Sequence, residues 1–140
     1  MCEFTMTDEM QSLLIGLAAG ATGYLIVTFW LQPILRYREI RERVHSDLIY
    51  YADATNADGL NDEMKERMWA RVSANRRHSS DLRAIFGSLP WFYRKYLAIR
   101  GYNPEEVAKD LMGLSNTFKH EDVDTRVKRI RAGLGLPSST

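Results

Sequence analysis

One cysteine, Cys2, occurs in 140 residues. A single thiol excludes an internal disulfide framework and a cysteine-built zinc site. It leaves an intermolecular bridge in an oxidising compartment or a free thiol, and no apolar signal region precedes it to mark a lipoprotein cysteine. The three histidines, His45, His78 and His120, have no second ligand at metal spacing and read as surface residues. No glycine-rich phosphate loop and no carboxylate pair suited to acid–base work are present. Leu111-Met-Gly-Leu-Ser115-Asn falls on a helical pattern rather than on the strained strand-to-helix turn that activates a serine, so Ser115 and Asn116 read as polar residues bonding to a neighbouring helix. Strand-like alternation is missing throughout. These absences predict an all-α protein with no enzymatic activity, cofactor, metal or small-molecule substrate.

Charge is the second scarcity. Nineteen Lys and Arg against eighteen Asp and Glu give a net charge of +1, which supplies no global attraction to nucleic acid. Met10 to Leu31 contains no charged side chain, and the first basic residue is Arg36. About 20 helical residues cross the hydrocarbon of a bilayer, and only a helix satisfies a lone segment's backbone there. The run therefore predicts one transmembrane helix. A cleaved signal peptide would have a basic start and a shorter apolar region, whereas Glu3, Asp8 and Glu9 open this chain. A soluble core helix seldom holds more than about 14 uncharged residues.

Basic residues near the ends of a span set its orientation. None precedes this one, while Arg36, Arg38, Arg41 and Arg43 follow, set against Glu39 and Glu42. The expected topology has the N-terminus outside and the C-terminal side cytoplasmic. Trp30, Arg36, Tyr37 and Arg38 stand where interfacial anchors belong. The expected division is a short extracytoplasmic tail at 1–9, a transmembrane helix at 10–32, a cytoplasmic helical domain at 33–133 and a flexible C-terminus at 134–140.

Beyond the span the pattern is helical, with about four to five helices. Pro33 predicts a kink or break near Gln32. Ile34, Tyr37, Ile40, Val44, Leu48 and Tyr51 then recur at three- and four-residue spacing. The turn-rich residues 53–59 end that helix. A second face carries Leu60, Met64, Met68, Val72 and Asn75, with Trp69 beside it. Ser79-Ser80-Asp81 either interrupts this helix or caps a new one holding Leu82, Ile85, Phe86 and Leu89. Leu89, Phe92, Tyr96 and Ile99 predict a short apolar face, ended at Gly101. Asn103-Pro104-Glu105-Glu106 is the clearest helix start: a capping side chain, proline at the first position and acids in the first turn. Val107, Leu111, Leu114 and Phe118 form its buried stripe. A last helix, about Asp122 to Arg131, turns Val123, Val127 and Ile130 inward.

Three surfaces are candidates for function. Ser12, Gly16, Gly20 and Gly23 share one face of the span, and Gly16-x-x-x-Gly20 is the spacing that lets two helices approach closely in lipid. An antiparallel return of the second helix regains headgroup level past His78. It then presents Trp91, Phe92, Tyr93, Arg94 and Lys95, either as core residues or as aromatics and cations seated on anionic lipid. Trp91 and Tyr93 discriminate between the two. Arg76 and Arg77, with Arg71 beside them, and Arg126, Lys128, Arg129 and Arg131 form two basic patches able to hold phosphates. Glu121, Asp122 and Asp124 flank the second, and solvated faces are the leading reading of both.

The stretches Leu31-Gln-Pro-Ile-Leu-Arg-Tyr-Arg-Glu-Ile40, Leu48-Ile-Tyr-Tyr-Ala52 and Leu111-Met-Gly-Leu-Ser-Asn116 resemble a group of small single-pass bacterial membrane proteins of unassigned function. That resemblance implies an apolar N-terminal helix leading into a cytoplasmic helical domain at the inner membrane, and it implies no chemistry. The expected function is non-enzymatic protein–protein association at the inner membrane, with itself or another protein. The alternatives are a membrane-perturbing effector or toxin of a bacterial defence system, and a membrane tether for nucleic acid through the basic helix.

Overall fold

In the computed structural model, residues 3–52, 61–117 and 120–137 are described, and all regular structure among them is helical. The chain opens with α1 (Glu3–Ile26), passes through a π-turn (Val27–Leu31) and continues as α2 (Gln32–Tyr50) without interruption. Helix thus begins at Glu3 rather than at Met10, and the break expected near Gln32 is absent. The backbone ladder slips instead, so that the Gln32 N–H bonds to the Val27 carbonyl five residues back. Proline has no N–H, and its ring crowds the carbonyl four residues before it. Widening the turn ahead of Pro33 absorbs that conflict and keeps the rod intact.

Past Pro33 the predicted face is the observed one. Tyr37, Ile40, Val44 and Leu48 are buried, with Ile34 packed at their edge. Helix α3 (Asp62–Ser88) starts behind Asn61, whose side chain accepts from the Met64 N–H, a cap missed in the sequence. Met68, Val72 and Asn75 are buried as expected, while Met64 and Trp69 are exposed. Leu60 lies outside the described residues, as do the turn at 53–59, Cys2 and Phe118.

Helix α3 runs straight through Ser79-Ser80-Asp81. Ser79 is fully buried, and its Oγ donates to the Ala108 carbonyl at 2.6 Å. A helix-to-helix bond, not a helix start, is what that serine provides. Both residues are small, so α3 and α5 (Pro104–Ser115) approach closely there.

Between them, α4 (Trp91–Ile99) reverses the expected packing. Leu97 is buried and Tyr93 packs against the core, while Phe92, Tyr96 and Ile99 face out, Ile99 at 77% exposure. The nine residues of α4 carry two apolar stripes at four-residue spacing, and the flank of α2 takes only one of them. On α5, Val107, Leu111 and Leu114 are buried as predicted, behind an Asn103 cap that accepts from the Glu106 N–H at 3.3 Å. Helix α6 (His120–Leu134) buries Val123 and Ile130 and overruns its expected end at Arg131. Leu134 and Leu136 are core residues, so the folded unit continues past position 133.

Helices α4 and α6 end in the same way. The Tyr102 N–H bonds to Leu97 O at 2.9 Å and the Gly101 N–H to Ala98 O at 3.0 Å. The Leu136 N–H bonds to Arg131 O at 2.8 Å and the Gly135 N–H to Ala132 O at 3.1 Å. Each is a paired C-terminal cap closed by a glycine at positive φ, +75° at Gly101 and +62° at Gly135. The caps lock together, because the Tyr102 ring occupies the space a Gly135 Cβ would need and the Asn103 N–H bonds to Gly133 O at 3.0 Å. Gly135→Ala is expected to cost about 2 kcal/mol, combining left-handed strain with displacement of the ring. Gly87→Ala is the contrast: it sits inside α3 with open space around its Cβ, and should stabilise by about 0.5–1 kcal/mol. Denaturant titration of both variants checks the opposite signs.

Candidate membrane-contact surface

Every residue from Asp8 to Val27 is exposed, and no bundle helix packs on this stretch. Leu13, Ile15, Leu17 and Phe29 would lie bare in water, an arrangement that burial in lipid resolves. The stretch belongs to a single helix, Asp8–Tyr50, that is long and apolar enough to cross a membrane, by length and composition alone.

Its far end is marked by rings. Trp30 meets Phe92 edge-on at a centroid separation of 5.9 Å, and Phe92 meets Trp91 at 6.2 Å. Thr28, Gln32 and Pro33 share a groove with Ile85 and Ser88. The turn joining α3 to α4 therefore sits level with the end of the uncharged run. The returning helix reaches this level near Ser88, past His78, which itself lies opposite Asp47 with Nε2 2.6 Å from Oδ2. His78 is buried in that pair and is no surface histidine.

Trp91 and Tyr93 then separate. Trp91 is 71% exposed at the level of Trp30, beside the exposed Arg94 and Lys95. Tyr93 turns inward and lies edge-on to Tyr37 at 6.0 Å. Tyr37 is only 1% exposed, so it anchors the bundle's core rather than a lipid interface. Arg36 and Arg38 remain exposed. From Tyr93 onward α4 runs along α2 away from α1. The Gly101-Tyr102 cap it ends on meets Gly135, whose carbonyl accepts from Arg41 Nη2 at 3.1 Å. Tyr96 and Ile99 thus lie on the outer flank of the bundle, farther from α1 than Trp91.

The glycine face is free as well. A Cβ at Gly16, Gly20 or Gly23 meets nothing within 4 Å, and Ser12 Oγ donates only to the Asp8 carbonyl of its own helix. Close approach of a second helix is one reason for three glycines there, and the general frequency of glycine in membrane helices is the other.

The expected phosphate patch is not assembled. Arg126 and Arg129 both reach Asp110, at 3.3 and 3.0 Å, Arg77 Nε lies 3.9 Å from Asp81, and Arg76 bonds to the Asn116 side chain at 3.2 Å. Lys128 is exposed, whereas the Arg131 Nε is buried. Asn116 does bond to a neighbouring helix, but Ser115 Oγ donates within its own helix, to the Met112 carbonyl. Arg71 is buried at 4% exposure and belongs to no surface patch. Its position could have been read from spacing, since 68, 71, 72 and 75 share a helix face. Among the described residues, no three His, Cys, Asp or Glu side chains converge. Comparison with protein-family models, with curated proteins and with solved structures returns no match for this chain.

Proposed function

We propose that this chain is a single-pass membrane protein whose helical bundle is held against one face of the bilayer and works by associating with protein, without chemistry of its own. The observation that carries this is the uncharged stretch of α1, exposed along its whole length and continuous with α2. Trp91, Arg94 and Lys95 at the α3–α4 turn add a second, shallower contact with headgroups. The arginines that follow the span and the absence of any before it favour a cytoplasmic bundle at a bacterial inner membrane, N-terminus outside. The free face of Ser12, Gly16, Gly20 and Gly23 suits pairing with a second helix in lipid. The outer stripe of Phe92, Tyr96 and Ile99 suits contact with protein at the bundle's flank. Engagement of Arg126 and Arg129 by Asp110 disfavours the nucleic-acid tether.

Protease protection tests the arrangement. The bundle should survive protease added to intact spheroplasts and be digested in inverted vesicles; digestion from the outside overturns the orientation, and a protein removed from membranes by alkaline carbonate overturns the span. Gly20→Ile should lower self-association several-fold in a membrane two-hybrid reporter, and an unchanged signal removes the glycine face from the reading. Collapse of membrane potential on expression would move the reading to a membrane-perturbing effector.

A further inference from the structure

The end of the bundle remote from the span holds a cleft of about 210 Å³, where α2, α3, α5 and α6 meet. Arg71, Asn75 and Arg131 line it. Six buried side-chain polar atoms lack a hydrogen-bond partner among the described residues, and three belong to residues that line this cleft: Arg71 Nε, Asn75 Nδ2 and Arg131 Nε. All three are donors. Neither arginine has a carboxylate within 4 Å among the described residues. The one hydrogen bond of the Arg71 guanidinium is a long contact from Nη2 to the Thr117 carbonyl at 3.4 Å.

An unpaired guanidinium in a low-dielectric site is expensive, and such groups are ordinarily matched by an anion or by several acceptors. Burial lowers the pKa of Arg71, the direction expected of a cation that lacks a counter-charge. Two carboxylates border the cleft without meeting that need. Asp47 directs Oδ2 to His78 at 2.6 Å, and Asp124 is exposed at the rim. Leu48 and Leu114 supply an apolar wall. The space is smaller than the roughly 300–1,000 Å³ of pockets for drug-sized ligands. It admits a phosphate, a sulfate or a short carboxylate.

We propose that Arg71, Asn75 and Arg131 form a binding site for a compact oxyanion, with two guanidinium groups and one amide as its donors. The site differs from the exposed basic patches in that Arg71 is buried and neither arginine is paired with an acid, Asp47 being engaged by His78. Asp47 stands sixteen residues beyond Leu31, about 24 Å along the helix, so a soluble anion rather than a headgroup of the anchoring membrane is the source.

Thermal unfolding of the full chain in non-ionic detergent, followed by circular dichroism, tests the site. Ionic strength is fixed while chloride is exchanged for inorganic phosphate, sulfate or acetate. At tenfold its dissociation constant, the preferred anion should raise the midpoint by about 6 °C or more. Arg71→Met should abolish that rise and, by removing a buried unpaired charge, melt no lower than the wild type without anion. Arg131→Gln, at a half-buried position, provides a second variant in which the response is lost. Arg76→Gln combined with Arg77→Gln should respond as the wild type does. A response to phosphate and sulfate identifies a tetrahedral anion, and one to acetate a carboxylate. Absence of any rise beyond chloride, or a rise retained in both Arg71→Met and Arg131→Gln, overturns the assignment.

Discussion

Ala21→Arg is expected to shift the protein out of carbonate-washed membranes while leaving its bundle folded. Ala21 sits at the midpoint of the uncharged run. A guanidinium there disfavours insertion by about 3 kcal/mol, roughly a 150-fold change in partition. The run contains several glycines and threonines, so its insertion is expected to be favourable without a large reserve, and one charge should reverse it. The bundle has no stake in the change, because the residues from Asp8 to Val27 touch none of its helices. Helical content and melting of the bundle should therefore match the wild type. Gln32→Arg, next to the basic flank, is the control that should stay in the membrane. Equal membrane retention of Ala21→Arg and wild type would show that α1 is not a span.

Leu111→Ala should produce the largest loss of stability from a single truncation. Leu111 is fully buried on α5, between α3 and α6. Removing its branched end forfeits the transfer energy of the lost carbons and leaves a cavity that close-packed neighbours fill only partly. About 3 kcal/mol is expected, which for a domain near 100 residues lowers the melting midpoint by about 15 °C. Met112→Ala, one residue along and exposed, should change stability by less than about 0.5 kcal/mol. If the two variants melt alike, α5 is not the centre of the core.

Most of the fold was legible in the sequence, because long helices repeat their buried positions. Tyr37, Ile40, Val44 and Leu48 on α2, and Val107, Leu111 and Leu114 on α5, follow from spacing alone. The start of α5 was legible because capping is local chemistry. Short α4 was misread for the opposite reason: Tyr93/Leu97 and Phe92/Tyr96 have the same spacing, and only the neighbouring flank of α2 decides which pair goes inside. Serine was misread as punctuation at Ser79, where its hydroxyl bonds across to α5 instead of to its own helix. Pro33 marks the place of the irregularity, but periodicity does not tell a break from a π-turn that keeps the helix continuous.

The candidate surfaces divide along the same line. The uncharged run and Trp91 depend on local composition, and their exposure agrees with it. The pairing of Arg126 and Arg129 with Asp110 joins α6 to α5, and the cleft of Arg71, Asn75 and Arg131 joins α3 to α6. Pairings of that kind depend on tertiary register, which a single sequence does not display.

The unbroken passage from α1 through the π-turn into α2 also sets a phase. With no swivel between span and bundle, the face of Ser12, Gly16, Gly20 and Gly23 keeps a constant bearing relative to the core face of Tyr37 and Val44. Two spans that pair through their glycines would therefore dictate how their two bundles confront one another. Adding or deleting one residue within Val27–Leu31 turns that bearing by about 100°. An insertion of that kind keeps every apolar residue of the span, yet it would re-aim the bundle like a weathervane on its mast.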